Sequence, residues 1–378
     1  MSTKNKSGGD GKDLSFIQNF KKDLDKIEGI GTSSQPPRYW YSTGNYVLNR
    51  IISGNVYHGI PQGRITDLAG PSGAGKSFIA ANLVAAAQRE GASILVVDSE
   101  NALDDDFMSK IGVDVNREDY MYAGVNTIPE ASKVVSTFLN GYKESVGEDK
   151  DAPQVLILID SLDMLMTETE QEHFEKGVTK GDQGQKNKQL KAMLRTFVQA
   201  IKNLNVAIIC TSQVYKNQDI LNGEGIWIVS DAVKYAASQI ILIQKRKLKD
   251  DSKGAKVGDF AGVRMICEGY KTRFTKPFQK VEIEVPYETG MDPTSGLLEV
   301  AKDAGVVVQK GSRYCIAGDE DNTWYSKDLE KYLDRILPLL QSQESAFFDV
   351  GDNVEIDTDT ETRADTKSRR QAKVVETE

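Results

Sequence analysis

Eight consecutive residues constrain this chain more than any other feature. Gly70-Pro71-Ser72-Gly73-Ala74-Gly75-Lys76-Ser77 fills every fixed position of the pattern G-x-x-x-x-G-K-[ST]. An apolar run over 65–69 precedes it and a helical pattern over 77–90 follows it. That strand–loop–helix context is the one in which glycines let successive backbone N–H groups turn inward around phosphate oxygens. The helix N-terminus adds partial positive charge at the same point. Lys76 is expected to reach the β- and γ-phosphates of a nucleotide, and Ser77 to place its hydroxyl on Mg²⁺. The plainer alternative is an ordinary glycine-rich turn between strand and helix.

The rest of the core repeats the same alternation. Apolar runs at 93–97, 154–159, 206–210 and 239–243 are continuous rather than alternating, which suits strands covered on both faces. Helical patterns lie between them at 128–143 and 188–203. Strand and helix in turn predict an α/β fold with a mostly parallel central sheet flanked by helices.

Two of these strands end in acids. Asp160 closes the run Val155-Leu156-Ile157-Leu158-Ile159, which places it at the carboxyl edge of the sheet, where ligands of open α/β folds bind. Its expected task is to help hold Mg²⁺; capping the next turn is the plainer alternative. The run Ile94-Leu95-Val96-Val97 ends in Asp98-Ser99-Glu100. A carboxylate there can orient a water for attack on the γ-phosphate, and spacing alone does not choose between Asp98 and Glu100.

Composition removes other chemistries. The chain of 378 residues holds two histidines, His58 and His173, and three separated cysteines, Cys210, Cys267 and Cys315. There is no CxxC or HxxxH pair, which argues against a zinc site and against a Ser-His-Asp triad. Reduced, buried thiols are expected rather than a disulfide framework. No window of 18 apolar residues is present, so no membrane helix is expected, and the polar residues 1–12 do not read as a secretory signal. A cytoplasmic location follows as the expectation. The net charge is −9, of which −5 falls in residues 344–378. That rules out a generic polycation but not a local basic groove.

The organisation expected is a flexible N-terminus with one amphipathic helix over 13–29 (residues 1–38), a core over 39–310, a small helical unit over 311–343 and an acidic, disordered tail over 344–378.

Further residues resemble a known family. Val97-Asp98-Ser99-Glu100-Asn101-Ala102-Leu103-Asp104, then Phe107 and Ile111-Gly112-Val113-Asp114, resemble the segment after the phosphate loop in RecA-family DNA recombinases. Ser42-Thr43-Gly44, Gly63-Arg64-Ile65 and Ala232-Val233-Lys234-Tyr235-Ala236-Ala237-Ser238 do so as well. Asp160-Ser161-Leu162 and Met291-Asp292-Pro293-Thr294-Ser295-Gly296-Leu297-Leu298 look closer to the UvsX-type recombinases of phages.

The resemblance, over about residues 39–310, implies a RecA-like P-loop ATPase core using ATP and Mg²⁺. It implies helical homo-oligomeric filaments on single-stranded DNA, pairing with homologous duplex DNA, and strand exchange in recombination and repair. A single-strand-binding protein and a recombination mediator are the implied partners, and the host cytoplasm the location if a phage encodes the chain. Glu100 takes the position of the catalytic glutamate. Phe107 takes that of the aromatic stacked on adenine, although its residues alone read as a core aromatic on a helix. Gln213 matches the glutamine that senses the γ-phosphate. Lys271 and Arg273 fall where the family has two lysines that reach a neighbour's ATP; a solvated pair in a hairpin is the plainer reading. Residues 1–38 then carry an oligomerisation helix.

Two long polar stretches match the family's DNA-binding loops. The first, 167–188, offers Lys176, Lys180, Lys186 and Lys188. The second, 214–231, offers Lys216 and, for stacking on bases, the exposed-looking Trp227 beside Ile226 and Ile228. A short strand packing inward is the alternative for 226–228. Val229-Ser230-Asp231 replaces the family's glycine pair, which moves attention to Lys234 for phosphate contact. The basic run Lys245-Arg246-Lys247-Leu248-Lys249 reads as a solvated hairpin. A ring-forming motor of the same fold, such as a helicase, remains the alternative function. A DNA-binding or mediator protein with a vestigial nucleotide site is a second, opposed by the intact Lys76, Ser77, Glu100 and Asp160.

Overall fold

A computed structural model describes residues 15–24, 26, 36–146, 149, 151–178, 184–216, 227–249, 260–286 and 290–348. The expectations for residues 1–12, for Lys180, for Ile226 and for the tail from 349 onward lie outside the described residues. Two units are distinguished, residues 1–39 and 40–378. The first holds α1 (Ser15–Leu24), inside the helix expected over 13–29, of which residues 13, 14, 25 and 27–29 lie outside the described residues. Phe16, Ile17 and Phe20 are exposed on it, and the two phenyl rings stack with centroids 6.1 Å apart.

The second unit begins with β1 (Trp40–Tyr41), α2 (Tyr46–Ser53), β2 (Ile60–Pro61), β3 (Ile65–Ala69), α3 (Lys76–Arg89), β4 (Ser93–Asp98), α4 (Asp105–Ile111), β5 (Tyr120–Gly124), α5 (Ile128–Val146) and β6 (Val155–Asp160). It continues with α6 (Glu168–Glu175), α7 (Gln185–Ile201), β7 (Val206–Ser212), β8 (Val214–Lys216), β9 (Trp227–Val229), α8 (Asp231–Ala236), β10 (Gln239–Lys249), β11 (Phe260–Lys271) and β12 (Lys280–Pro286). It ends with α9 (Leu297–Asp303), β13 (Val307–Lys310), β14 (Arg313–Ile316), a 3-10 helix (Ser326–Tyr332) and α10 (Leu333–Phe348).

Eight strands form the central sheet in the order β12-β11-β10-β3-β7-β6-β4-β5. The six from β10 to β5 run parallel, and β11 and β12 add an antiparallel edge. Strands β3, β6 and β7 are buried at every residue, as their unbroken apolar runs require. Helices cover both faces. One core gathers Leu68, Ile94, Leu158 and Ile209 with Ile79 and Leu83 of α3 and with Trp324, Ile336 and Leu340. The other gathers Ile65, Val97, Ile157 and Ile208 with Val135 of α5, Phe197 of α7 and Val233 of α8. The three cysteines are buried and unpaired. No described helix is long and apolar enough to cross a membrane.

The structure corrects the sequence reading in four places. Helix α6 occupies part of the stretch 167–188 read as lacking structure. Its Thr167–Glu170 capping box holds it in place, and with no buried residue it has little apolar period to betray it. Strand β5, half-exposed at an edge, lacks the continuous apolar run that marked the others. Helix α10 runs five residues beyond the expected boundary at 343. Residues 227–229 form a strand paired with β8, and Trp227 is half-buried against the second core rather than exposed.

Ile157 is fully buried at the centre of the sheet. Ile157→Ala is expected to cost about 2–5 kcal/mol of stability, measured by denaturant unfolding; a loss well below that would mean the site collapses around the gap.

Candidate active site

The parallel strands end together, and the loops that leave them build the site. Gly73 and Gly75 adopt φ of 68° and 97°, a region that side chains with a Cβ rarely enter. A Cβ on Gly75 would also stand 2.4 Å from the Met265 methyl, and one on Gly70 would stand 2.5 Å from the Ile243 carbonyl oxygen. Strands β10 and β11 therefore wall the phosphate loop. Within it the Lys76 ammonium donates to the Gly70 and Pro71 carbonyls at 3.0 and 3.2 Å. Burial pulls the Lys76 pKa down, while the carboxylates of Glu100, Asp160, Asp163 and Asp67 hold it up.

Strands β4 and β6 run side by side with Asp98 level with Asp160. Asp98 is committed to its own turn. Its Oδ1 accepts from the backbone N–H groups of Glu100 and Asn101, and its Oδ2 from that of Leu103 and from the Tyr122 hydroxyl, at 2.8–3.1 Å. Glu100 is exposed, and its Oε1 accepts from the Ser161 hydroxyl at 2.8 Å. Ser161 is itself clamped: its N–H donates to Ser99 Oγ at 2.9 Å, and Ser99 Oγ donates to its carbonyl at 2.7 Å.

Asp160 is buried. Burial pushes its carboxyl up, the Thr211 and Ser77 hydroxyls pull it down, and Glu100 and Asp98 push it up again. Its Oδ2 is buried without a hydrogen-bond partner. An orphaned carboxylate oxygen beside a phosphate-loop hydroxyl fits a hard divalent cation such as Mg²⁺, which takes oxygen ligands. Phe107, in α4, is half-buried and packs against the first core, as its residue-level reading anticipated.

Gln213 follows directly on β7. Its backbone N–H donates to Asp163 Oδ2 at 2.6 Å. Lys186, the second residue of α7, donates to the Asp163 carbonyl at 2.5 Å. Lys216 is exposed on β8, across from Trp227. Lys176 is exposed behind α6 and pairs with Glu172 at 3.3 Å. Lys234 lies 6.0 Å from the Tyr270 ring. Lys188 belongs to a group the sequence reading missed: with Lys191, Arg195 and Tyr235 it lines one cavity, and the Lys191 ammonium stands 4.7 Å over the Tyr235 ring. The spacing of 188, 191 and 195 along a helix is readable as one basic stripe.

Lys271 and Arg273 are elsewhere. Lys271 lies opposite Ile240, which is level with Asp67 in β3, before the strand reaches the phosphate loop. Its ammonium donates to the Lys234 and Ala237 carbonyls at 2.6 and 2.7 Å, so it is not the freely solvated residue of the plainer reading. Burial and then Arg273 lower its pKa, and Arg64 is lowered in the same way. A cationic group thus stands at the end where the parallel strands begin.

A phosphate loop with its two partner acids, on a parallel sheet extended by an antiparallel edge, defines a P-loop nucleotide-binding protein with a RecA-type core. The RecA N-terminal domain family matches residues 17–292. Protein RecA of Thermus thermophilus is 30% identical over 274 residues, covering 71% of this chain and 73% of the relative. Protein RecA of Aquifex aeolicus is 27% identical over 276 residues, covering 73% and 74%. Protein RecA of Frankia alni is 24% identical over 355 residues, covering 87% and 94%. The chain belongs to the RecA family and is a RecA-type recombination and repair protein.

One buried acid beneath the site has no phosphate to serve. Asp67 takes the Ser212 hydroxyl at 2.7 Å on Oδ2, and its Oδ1 has no partner. Burial raises its pKa to about 8, against the Ser212 hydrogen bond, with Asp163 adding to the rise and Lys76 opposing it. The folded state thus keeps a proton that the unfolded chain loses at about pH 4. Its contribution to stability is full below that pH and is lost as pH rises through about 8. Asp67→Asn is expected to raise the Tm more at about pH 8.5 than at about pH 5; an equal change at both would contradict the buried charge.

Proposed function

We propose that this protein is an ATP-dependent strand-exchange protein that assembles head to tail on single-stranded DNA and pairs it with homologous duplex DNA. The observation that carries this reading is the separation of its charged groups. Lys76, Ser77, Glu100 and Asp160 lie where the parallel strands end; Lys271 and Arg273 lie where they begin. Sets at opposite ends of the sheet meet at one nucleotide when copies stack head to tail, and stacking that does not close makes a filament.

In this reading residues 70–77 hold the ATP phosphates, and Phe107 faces the adenine. Ser77 and Asp160 would hold Mg²⁺, which neutralises charge on the phosphates when bound. Glu100 orients the attacking water. Ser161 fixes one of its carboxylate oxygens and leaves the other for that water. Lys271 and Arg273 of one copy face the γ-phosphate on the next, where Arg273 acts as an arginine finger does. Gln213 passes γ-phosphate occupancy to the DNA segments. Lys188, Lys191 and Arg195, with Lys176, Lys186, Lys216 and Lys234, neutralise DNA phosphates. Half-buried Trp227 supports its strand more than a base stack. Helix α1 offers Phe16, Ile17 and Phe20 to a neighbouring copy. A single-strand-binding protein, a mediator and a cytoplasmic setting accompany this reading.

The experiment is ATP hydrolysis with and without single-stranded DNA. Lys76→Ala is expected to abolish turnover. Glu100→Gln is expected to lower it about 10²–10⁴-fold while nucleotide still binds. Hydrolysis indifferent to DNA in the wild type would overturn the reading. For the basic stripe, Lys191→Glu with Arg195→Glu is expected to weaken DNA binding and to flatten its salt dependence by about two units of log–log slope. An unchanged slope would remove the stripe from the interface.

A further inference from the structure

The carboxylate of Asp163 has no counterpart among the acids that the phosphate chemistry uses. It follows β6 by three residues and is half-buried. Each polar atom of the residue that is free to accept does so from a different element. Oδ2 takes the N–H of Gln213, the first residue after β7, at 2.6 Å. Oδ1 takes the hydroxyl of Tyr215 in β8 at 3.1 Å. The carbonyl takes the ammonium of Lys186 in the first turn of α7 at 2.5 Å. Lys186 belongs to the first candidate DNA segment, 167–188, and Tyr215 to the second, 214–231. One residue therefore ties together the roots of both candidate DNA segments. The same residues line a cavity of about 410 Å³ together with Ser230 and Asn187.

The direction of the effect follows from charge. Burial, and then Asp163, raise the pKa of the Tyr215 phenol, so its proton stays in place to donate. Asp163 also lies close enough to Lys76 to raise that residue's pKa. A polyanion arriving at either place, as a γ-phosphate beside Lys76 or as DNA beside Lys186, would repel this carboxylate. We propose that Asp163 is a positioning residue, an acidic latch that holds Gln213 and the two segment roots in one arrangement until an anion displaces it. The latch suppresses hydrolysis without DNA, because Gln213 is held by its backbone away from free adjustment toward the phosphate. This rests on the role given to Gln213 above.

The test compares wild type, Asp163→Ala, Asp163→Asn and Tyr215→Phe in two measurements. The first is the ratio of hydrolysis with single-stranded DNA to hydrolysis without it. Asp163→Ala is expected to lower that ratio at least about fivefold by raising the DNA-free rate, the scale of ordinary coupling between sites. Asp163→Asn, which keeps an acceptor but no charge, is expected to fall between the two, and Tyr215→Phe to lower it less. A merely structural role would depress both rates together and leave the ratio within about twofold of wild type, which would overturn the latch. The second is hydrogen exchange of residues 213–216 in the free protein. Asp163→Ala is expected to speed exchange there about tenfold, the effect of losing one hydrogen bond, with the central strands unchanged. Unchanged exchange would overturn the latch without reference to DNA. A wild type whose hydrolysis ignores DNA would overturn the role of Gln213 instead, and the exchange result would then judge the latch alone.

Discussion

The Lys76 ammonium is surrounded by acids. Glu100, Asp160, Asp163 and Asp67 all act on it, and no second cation shares the phosphate loop's interior among the groups that shift its pKa. Four carboxyl groups around Lys76 disfavour a bare triphosphate, and the Lys245 ammonium, 3.8 Å from where a Cβ on Gly73 would stand, brings a second cation to the loop. The orphaned oxygen of Asp160 is where the donor set offers a place for a divalent one. The protonation of buried Asp67 eases the same imbalance. Everything that positions these acids, the register of β4 on β6 and the close approach of β10 and β11 to the glycines, serves to keep that charge arrangement compact.

The sheet has two chemically different ends. Carboxylates and the phosphate loop crowd the end where the parallel strands stop; Arg64, Lys271 and Arg273 crowd the end where they start. Like charges gathered at one place raise the free energy of a separate molecule. In the proposed head-to-tail assembly, stacking one copy's cationic end on the next copy's acidic end would relieve both, and the nucleotide would sit at the junction.

Much of this was legible beforehand because it depends on local pattern. Residues 70–77 carry their meaning in eight adjacent positions, and β3, β6 and β7 announce themselves by unbroken apolar runs. What escaped depends on tertiary placement. Asp98 and Glu100 are two residues apart and equivalent by spacing; only the four donors converging on Asp98 separate them geometrically. Helix α6 lacks an apolar face and reads as a loop. Trp227, between Ile226 and Ile228 in an otherwise polar stretch, looks exposed until β8 pairs with its strand. Asp163 gave no signal, since its three partners are 23 to 52 residues away.

The most direct measurement is ATP hydrolysis by a mixture of two variants each expected to be inactive alone, Lys76→Ala and the double variant Lys271→Ala with Arg273→Ala. The first lacks the phosphate-loop cation but keeps the cations it would lend; the second keeps its own loop but has none to lend. If the site is completed by the next copy, mixing restores hydrolysis at junctions where the double variant's loop meets the first variant's cations. A mixture no more active than either variant alone would contradict the account.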